Sequence, residues 1–396
     1  MKHLFTLLLI IISSVGIAKN KTWLSLKPDG SIAFKIEAKS VDQFSDGYAA
    51  VKISLVENNT WVTRLGFVDK TGQMVIPAIY DKTKGDGFVN GRAWVKKKDD
   101  KYWTLIDKKG NVIKTGDYDN VGYILSGNNN LLCVQQGDYK GFIDYDGKEI
   151  IPCKYIGSSS FSQGLACVAT EESDGYGFIN EKGEVVIPLK FKQAGVTTFT
   201  EYDLARAGVG GTTVLIDKTG KIVFKTGQGN IQSISNGWIR VFTSSRRDDW
   251  GYLDFNDQWK IKPIYDKLSD FNEQGWAEAT LKGYTGIIDT TGKTILDFKY
   301  ATLYLNPKED GYIMGVLPVE KPSSLLNTPK DYFTPDLKPV DTTGIKYIYP
   351  AKGGELMPYL DHNEKKGYLS RDFKVAIPAK YSRAEIFSEG LAWVSE

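Results

Sequence analysis

The sequence predicts an all-β protein of about ten tandem repeats, each roughly 37 residues long and built from β-hairpins. Three observations carry this. One half-motif, Gly-aromatic-aliphatic-Asp-x-x-Gly followed by an aliphatic run, recurs down the chain; its clearest copy is Gly66-Phe67-Val68-Asp69-Lys70-Thr71-Gly72 with Val75-Ile76-Pro77 and Tyr80. A second half-motif, Phe-Ser-x-Gly-x-Ala-x-Val, alternates with it. Both consist of short aromatic and β-branched runs bounded by turn residues, which is the pattern of strands. No amphipathic helix of four turns is visible.

The Asp of the first half-motif serves as an anchor. It falls at Asp69, Asp107, Asp144, Asp217, Asp254 and Asp289, with Asn180 in one copy. Degenerate copies place Lys27, Thr334 and Ser370 there, which completes ten. Insertions precede Asp69 and separate Asp289 from Thr334; the latter includes Lys321-Pro322-Ser323-Ser324, a candidate surface loop. The second half-motif is clear at Phe44, Phe88, Phe161 and Phe387, and carries one extra residue at Phe271 to Gly275.

Each anchor reads as a hairpin turn. Asp at the turn start accepts backbone N–H groups, and Gly supplies the positive φ that a short loop needs. The structural turn residues are therefore Asp69 with Gly72, Asp107 with Gly110, Asp144 with Gly147, Gly183 after Asn180, Asp217 with Gly220, Asp254, and Asp289 with Gly292. Pro77, Pro152, Pro188, Pro263 and Pro378 sit late in the following strand, where they end it or mark a sheet edge.

One hairpin cannot bury its apolar face alone, but stacked copies can, so the core is distributed along the array. Ten units exceed the usual four to eight blades of a propeller. The expected architecture is thus an open or spiral β array, with closed propeller-like rings as the alternative. The chain starts on the Trp23 strand and ends on the Leu391-to-Val394 strand. If an Ala-x-Val strand groups with the next Asp hairpin, the two ends complete one unit and close a ring. A disulfide between Cys133 and Cys167, which hold equivalent positions in neighbouring copies, would favour the open form.

Lys2 and His3 precede an uncharged, Leu- and Ile-rich segment from Leu4 to Ala18, with Gly16 and Ala18 at the −3 and −1 positions of a cut before Lys19. Residues 1–18 read as a secretory signal peptide and 19–396 as the repeat array, in one or two sub-arrays. The expected address is export to the periplasm, outer surface or medium, with no stable membrane span after cleavage. Three cysteines are too few for a disulfide scaffold. A formal net charge of +2 offers no basic stripe for nucleic acid.

Taken together, these motifs resemble the bacterial WG-repeat family across about residues 23 to 396. Trp250-Gly251-Tyr252-Leu253-Asp254 and Phe387-Ser388-Glu389-Gly390-Leu391-Ala392-Trp393-Val394 are the nearest matches. The literal Trp-Gly pair occurs once, at Trp250; elsewhere Lys140, Tyr176, Thr285 and Lys366 precede the Gly, while Thr104, Val214 and Asp331 replace the Gly itself. The resemblance implies an exported or envelope-associated repeat protein and brings no catalytic residues with it.

Sites that tempt are absorbed by the repeat. Gly292-Lys293-Thr294 lacks the preceding Gly of a phosphate-binding loop and is an ordinary repeat turn. Asp144-Tyr145-Asp146-Gly147 opens like a calcium loop but lacks the later acidic ligands. Gly208-Val209-Gly210-Gly211 precedes a strand, where a dinucleotide fingerprint would follow one. With His3 in the expected leader, His362 is the one remaining histidine, which disfavours a His-based triad or zinc site. The expectation is therefore a non-catalytic binding scaffold without cofactor or metal, engaging a protein or envelope component through loops and exposed aromatics. A carbohydrate-binding module is the alternative, since Trp and Tyr offer flat faces to sugar rings. A hydrolase on a repeat scaffold is third.

Overall fold

The computed structural model describes residues 20–85, 87–122, 131–192, 198–243, 249–319 and 324–396. The expected signal peptide lies outside them, as do Lys321, Pro322 and Ser323 of the expected loop.

The strands form ten antiparallel sheets among the described residues. Blade 5 illustrates the unit. A short first strand, Gly157–Ser158, is followed by Leu165–Ala169, Tyr176–Asn180 and Val185–Phe191, hydrogen-bonded in that order. The second strand carries the Ala-x-Val motif, the third the Gly-aromatic-aliphatic-Asp motif, and the fourth the Val-Ile-Pro run. Blades 2 to 10 follow in chain order; blade 6 lacks the first strand and blade 9 the fourth among the described residues.

Blade 1 is shared by the two ends of the chain. Its third and fourth strands are Lys21–Leu26 and Ile32–Ala38, and its second and first are Ala392–Ser395 and Arg383–Ala384. Leu24, Ser25 and Leu26 pair with Val394, Trp393 and Ala392. Ten apolar cores then link each blade to the next. One joins Tyr368, Ile377 and Tyr381 of blade 10 to Leu26 and Phe387 of blade 1, and another joins Trp23 and Trp393 of blade 1 to Phe44 and Val51 of blade 2. The circuit is complete through the other eight. The molecule is a closed ten-bladed ring, a β-propeller. This corrects the expectation of an open or spiral array: each terminal unit is incomplete and would leave apolar surface bare, and the two complement each other. Cys133, Cys153 and Cys167 are free thiols.

The Phe-Ser half-motif is the inter-blade fastener. Its Phe inserts against the aromatic of the preceding blade's third strand, at centroid separations of 4.9 Å for Phe67–Phe88, 4.8 Å for Phe142–Phe161, 4.7 Å for Tyr252–Phe271 and 4.9 Å for Tyr368–Phe387. Such pairs are worth about 1 kcal/mol beyond their buried area. The adjacent Ser donates to the main chain of the next Phe in the series: Ser45 Oγ to Phe88 O at 2.7 Å, Ser162 Oγ to Phe199 O at 2.7 Å, and, across the seam, Ser388 Oγ to Phe44 O at 2.5 Å.

The family glycine has a steric cause. In blade 5, Phe178 pairs with Ile187 and Tyr176 with Phe191, so two steps on the third strand face four on the fourth. Three residues, Pro188 to Lys190, stand opposite the single Gly177 and bulge over it, where a Cβ would lie 2.3 Å from Ile187 O. The same approach occurs at Gly66, Gly141, Gly251, Gly286 and Gly367. Where Thr104 and Val214 replace the Gly, the fourth strand is only Val112–Lys114 or Ile222–Phe224 and does not reach past the bulge to pair with the preceding residue, as Phe191 does with Tyr176. Asp331 belongs to blade 9, which has no fourth strand among the described residues. The prolines therefore lie within edge strands and do not end them. An edge needs no donor on its open side, so Pro is tolerated there and blocks further pairing.

Candidate functional site

The predicted turn residues are distributed one per blade and are not brought together. Asp69 Oδ1 accepts the N–H of Thr71 at 2.8 Å and of Gln73 at 3.1 Å, and Gly72 N–H donates to Asp69 O at 3.0 Å. Asp107, Asp144, Asp217, Asp254 and Asp289 make the same pair of contacts, as does Asn180. Gly72, Gly110, Gly147, Gly183, Gly220 and Gly292 have φ between 78° and 84°; after Asp254 the position is held by Asp257 at 62°. A side chain on Gly72 would also strike the Phe34 ring, 2.4 Å away. The Asp217 and Asp289 carboxyls sit below the usual range because the Thr219 and Thr291 hydroxyls donate to them. Gly210 and Gly211 form the tight turn between Leu204–Val209 and Thr212–Asp217. His362 is exposed on the turn after Met357–Asp361. Among the described residues no cluster of His, Cys, Asp and Glu is placed to hold a metal.

Departures from the repeat are more informative than the repeat. The residue between Ala and Val on the second strand reaches across to the first strand of the next blade. Trp393 Nε1 donates to Asp42 O at 3.0 Å, and Cys133 Sγ meets Ser158 Oγ at 3.5 Å. At this position blades 1 to 5 carry Trp393, Ala50, Trp94, Cys133 and Cys167. Blades 6 to 8 carry Arg206, Arg240 and Glu278.

These three form a charged arc. Arg206 Nη1 donates to Ile231 O at 3.2 Å. Arg240 Nε donates to Ser233 Oγ at 3.0 Å and lies 3.2 Å from Asp270 Oδ1, while its Nη1 donates to Leu268 O. Its guanidinium covers the Trp250 ring at 5.2 Å. Burial lowers the Arg206 pKa, and the charge of Arg240 lowers it further. Leu305 N–H donates to Glu278 Oε1 at 3.1 Å, and burial raises that carboxyl above its ordinary 4.5.

Glu278→Gln is expected to stabilise the ring at pH 8. The amide oxygen still accepts from Leu305, and no charge is buried. Because the folded pKa is raised, protonation favours the folded state below pH 4.5, and that benefit is lost as pH rises through the folded value. The advantage of Gln should thus be present at pH 8 and vanish toward pH 4. Denaturant titrations at both pH values check it; an equal difference at both would contradict the assignment.

A cavity of about 330 Å³ opens over the first strand of blade 5, lined by Lys140 of blade 4, by Gly157, Ser158, Cys167 and Tyr176 of blade 5, and by Thr198 on the blade 6 side, among others. Burial pushes the Cys167 thiol up to about 12 and Cys153 up to about 11. Neither is a thiolate at neutral pH, so neither is an activated nucleophile. The sequence reading missed both the arc and the cavity. The signal was available in the column of residues between Ala and Val, which changes from apolar to charged at Arg206.

The fold is therefore that of a repeat propeller whose column between Ala and Val turns charged in blades 6 to 8. The model of the WG containing repeat matches residues 66–102, 103–139, 141–171, 176–212, 250–284 and 367–396, just over half of the chain. The protein belongs to the WG-repeat family. No curated protein matches it. Among solved structures it is similar to a eukaryotic initiation factor (10% identity, TM-score 0.48, covering 81% of this chain and 95% of that one). It is also similar to BamB from Moraxella catarrhalis (12%, 0.34, 68% and 88%) and AztD from Citrobacter koseri (12%, 0.35, 71% and 95%).

Proposed function

We propose that this protein is an exported, non-catalytic scaffold that binds a protein partner. The observation that carries the reading is a projecting hairpin in blade 2. Tyr48–Glu57 and Thr60–Asp69 are ten residues each, against six in the matching strands of blades 4 and 8. Near the tip Val56 and Trp61 are cross-strand partners, 57% and 53% exposed. Arg64 braces the hairpin, paired with Glu57 at 2.6 Å and Asp81 at 2.8 Å. An exposed Trp on a braced ribbon is the kind of anchor that dominates protein interfaces.

Other tryptophans support this choice over a glycan platform. Trp23, Trp94 and Trp393 are buried in blade interfaces, and Trp103, Trp238, Trp250, Trp259 and Trp276 are half-buried. Fully exposed tryptophan faces are therefore scarce. The absence of catalysis is supported by the raised pKa values of the Cys153 and Cys167 thiols and by the place of His362 on an exposed turn.

Trp61→Ala should reduce partner recovery about tenfold or more, the size expected of a Trp anchor. Photocrosslinking from position 61 in envelope extracts identifies the partner, and quantitative recovery compares Trp61→Ala with Tyr284→Ala, another exposed aromatic. Equal recovery by both variants would overturn the hairpin as the binding element.

A further inference from the structure

The cavity over the first strand of blade 5 lies where that strand lacks the aliphatic residue that several other blades carry. The first-strand residue that pairs with the Val position of Ala-x-Val points into the inter-blade core. It is Val121 in blade 4, Ile231 in blade 7, Leu268 in blade 8, Leu303 in blade 9 and Ile348 in blade 10. These five side chains are buried. In blade 5 the same register position is Ser158, paired with Val168, and Gly157 precedes it. Facing it, the column that holds Trp94 in blade 3 holds Cys133, whose Sγ meets Ser158 Oγ at 3.5 Å. Ser158 thus stands where blades 7 to 10 place a branched aliphatic residue, and the hollow is lined by polar and apolar groups together.

Two further substitutions furnish it. The family's Trp position before the Gly is Lys140 in blade 4 and Tyr176 in blade 5. Both line the cavity and both are half-buried. Neither the Lys140 ammonium nor the Tyr176 hydroxyl has a hydrogen-bond or ion-pair partner among the described residues. The Tyr176 ring lies against Gly157, whose Cβ would approach it to 3.1 Å, so a larger residue at 157 would displace the ring.

We propose that this cavity binds one sugar ring that bears an anionic group, a carboxylate or a phosphate. Lys140 supplies the single compensating charge. Ser158 and the hydroxyls of Tyr176 and Thr198 donate to and accept from ring hydroxyls, and the Tyr176 ring offers an apolar face to the sugar's C–H side. A volume of about 330 Å³ is at the lower end of ligand pockets and holds one ring, not a chain. The site is distinct from the blade 2 hairpin and does not depend on it.

Titration calorimetry with glucuronate, glucose 6-phosphate, glucose and inorganic phosphate tests this. Saturable binding is expected for glucuronate, glucose 6-phosphate or both, at least tenfold tighter than for glucose or phosphate. Lys140→Met should weaken it tenfold or more with the melting temperature unchanged. Ser158→Leu, which restores the filling found in blade 8, should abolish binding while leaving the melting temperature equal or higher. If neither anionic sugar binds, or if Ser158→Leu binds as the wild type does, the proposal is wrong. Binding of glucose equal to that of glucuronate would remove the role of Lys140.

Discussion

Gly177→Ala is expected to destabilise the protein by about 3 kcal/mol, the upper part of the range for overpacking by one methyl group. The added Cβ would sit 2.3 Å from Ile187 O and 2.6 Å from Pro188 C, and both contacts are backbone. A flexible side chain could swing away; a hydrogen-bonded edge strand has to slide. Sliding would unpair Phe178 from Ile187, which are both fully buried. Gly227→Ala is the control, because a Cβ there meets nothing within 4 Å. Urea denaturation should separate the two variants clearly. Coincident midpoints would remove the steric account of the family glycine.

Trp393→Ala is expected to cost about 4 kcal/mol, within the range for emptying a large aromatic site. Trp393 is 1% exposed, stacks on Phe44 at 5.5 Å and meets Phe34 edge-on at 5.4 Å. The hydrogen bond from its indole N–H to Asp42 O would be lost as well. All three partners come from the N-terminal end of the chain, so the loss falls on the seam. Trp259→Ala, at a half-buried site away from the seam, should cost less. Thermal melts of both variants rank them; a seam variant as stable as the wild type would mean that the two ends do not hold each other.

The strands and turns were legible because their chemistry is local. Asp69 accepts from residues two and four positions later, and Gly72 needs only its own φ, so each turn writes itself into a few adjacent residues. The Phe-Ser-x-Gly-x-Ala-x-Val motif was legible as a strand, yet the purpose of its Phe and Ser was not, since Ser45 bonds a carbonyl at Phe88. Closure was the harder question. It depends on the small rotation between successive blades, which no single repeat specifies, and ten copies exceed the common propeller range. The decisive clue was that the chain begins with a third strand and ends with a second. The role of the family glycine was hidden for a similar reason: the bulge that presses on Gly177 is made by Pro188 to Lys190, on a neighbouring strand. The cavity required comparing equivalent positions across blades, where Ser158 stands out only beside Leu268 and Ile348.

Ring closure is the claim on which the rest stands, and one distance decides it. Glu37 lies on the strand Ile32–Ala38 and Glu396 follows the strand Ala392–Ser395, with Lys21–Leu26 between them in the same sheet. Two inter-strand steps place their backbones about 10 Å apart. Spin labels at Glu37→Cys and Glu396→Cys, with Cys133, Cys153 and Cys167 replaced by Ala, should give a narrow pulsed-dipolar distribution near ~20 Å once the label arms of about 5 Å each are included. In an open array the ends would be separated by about nine sheet spacings of about 10 Å, or about 90 Å. A distribution centred near ~20 Å is the predicted result, and one beyond about 60 Å would contradict the closed ring.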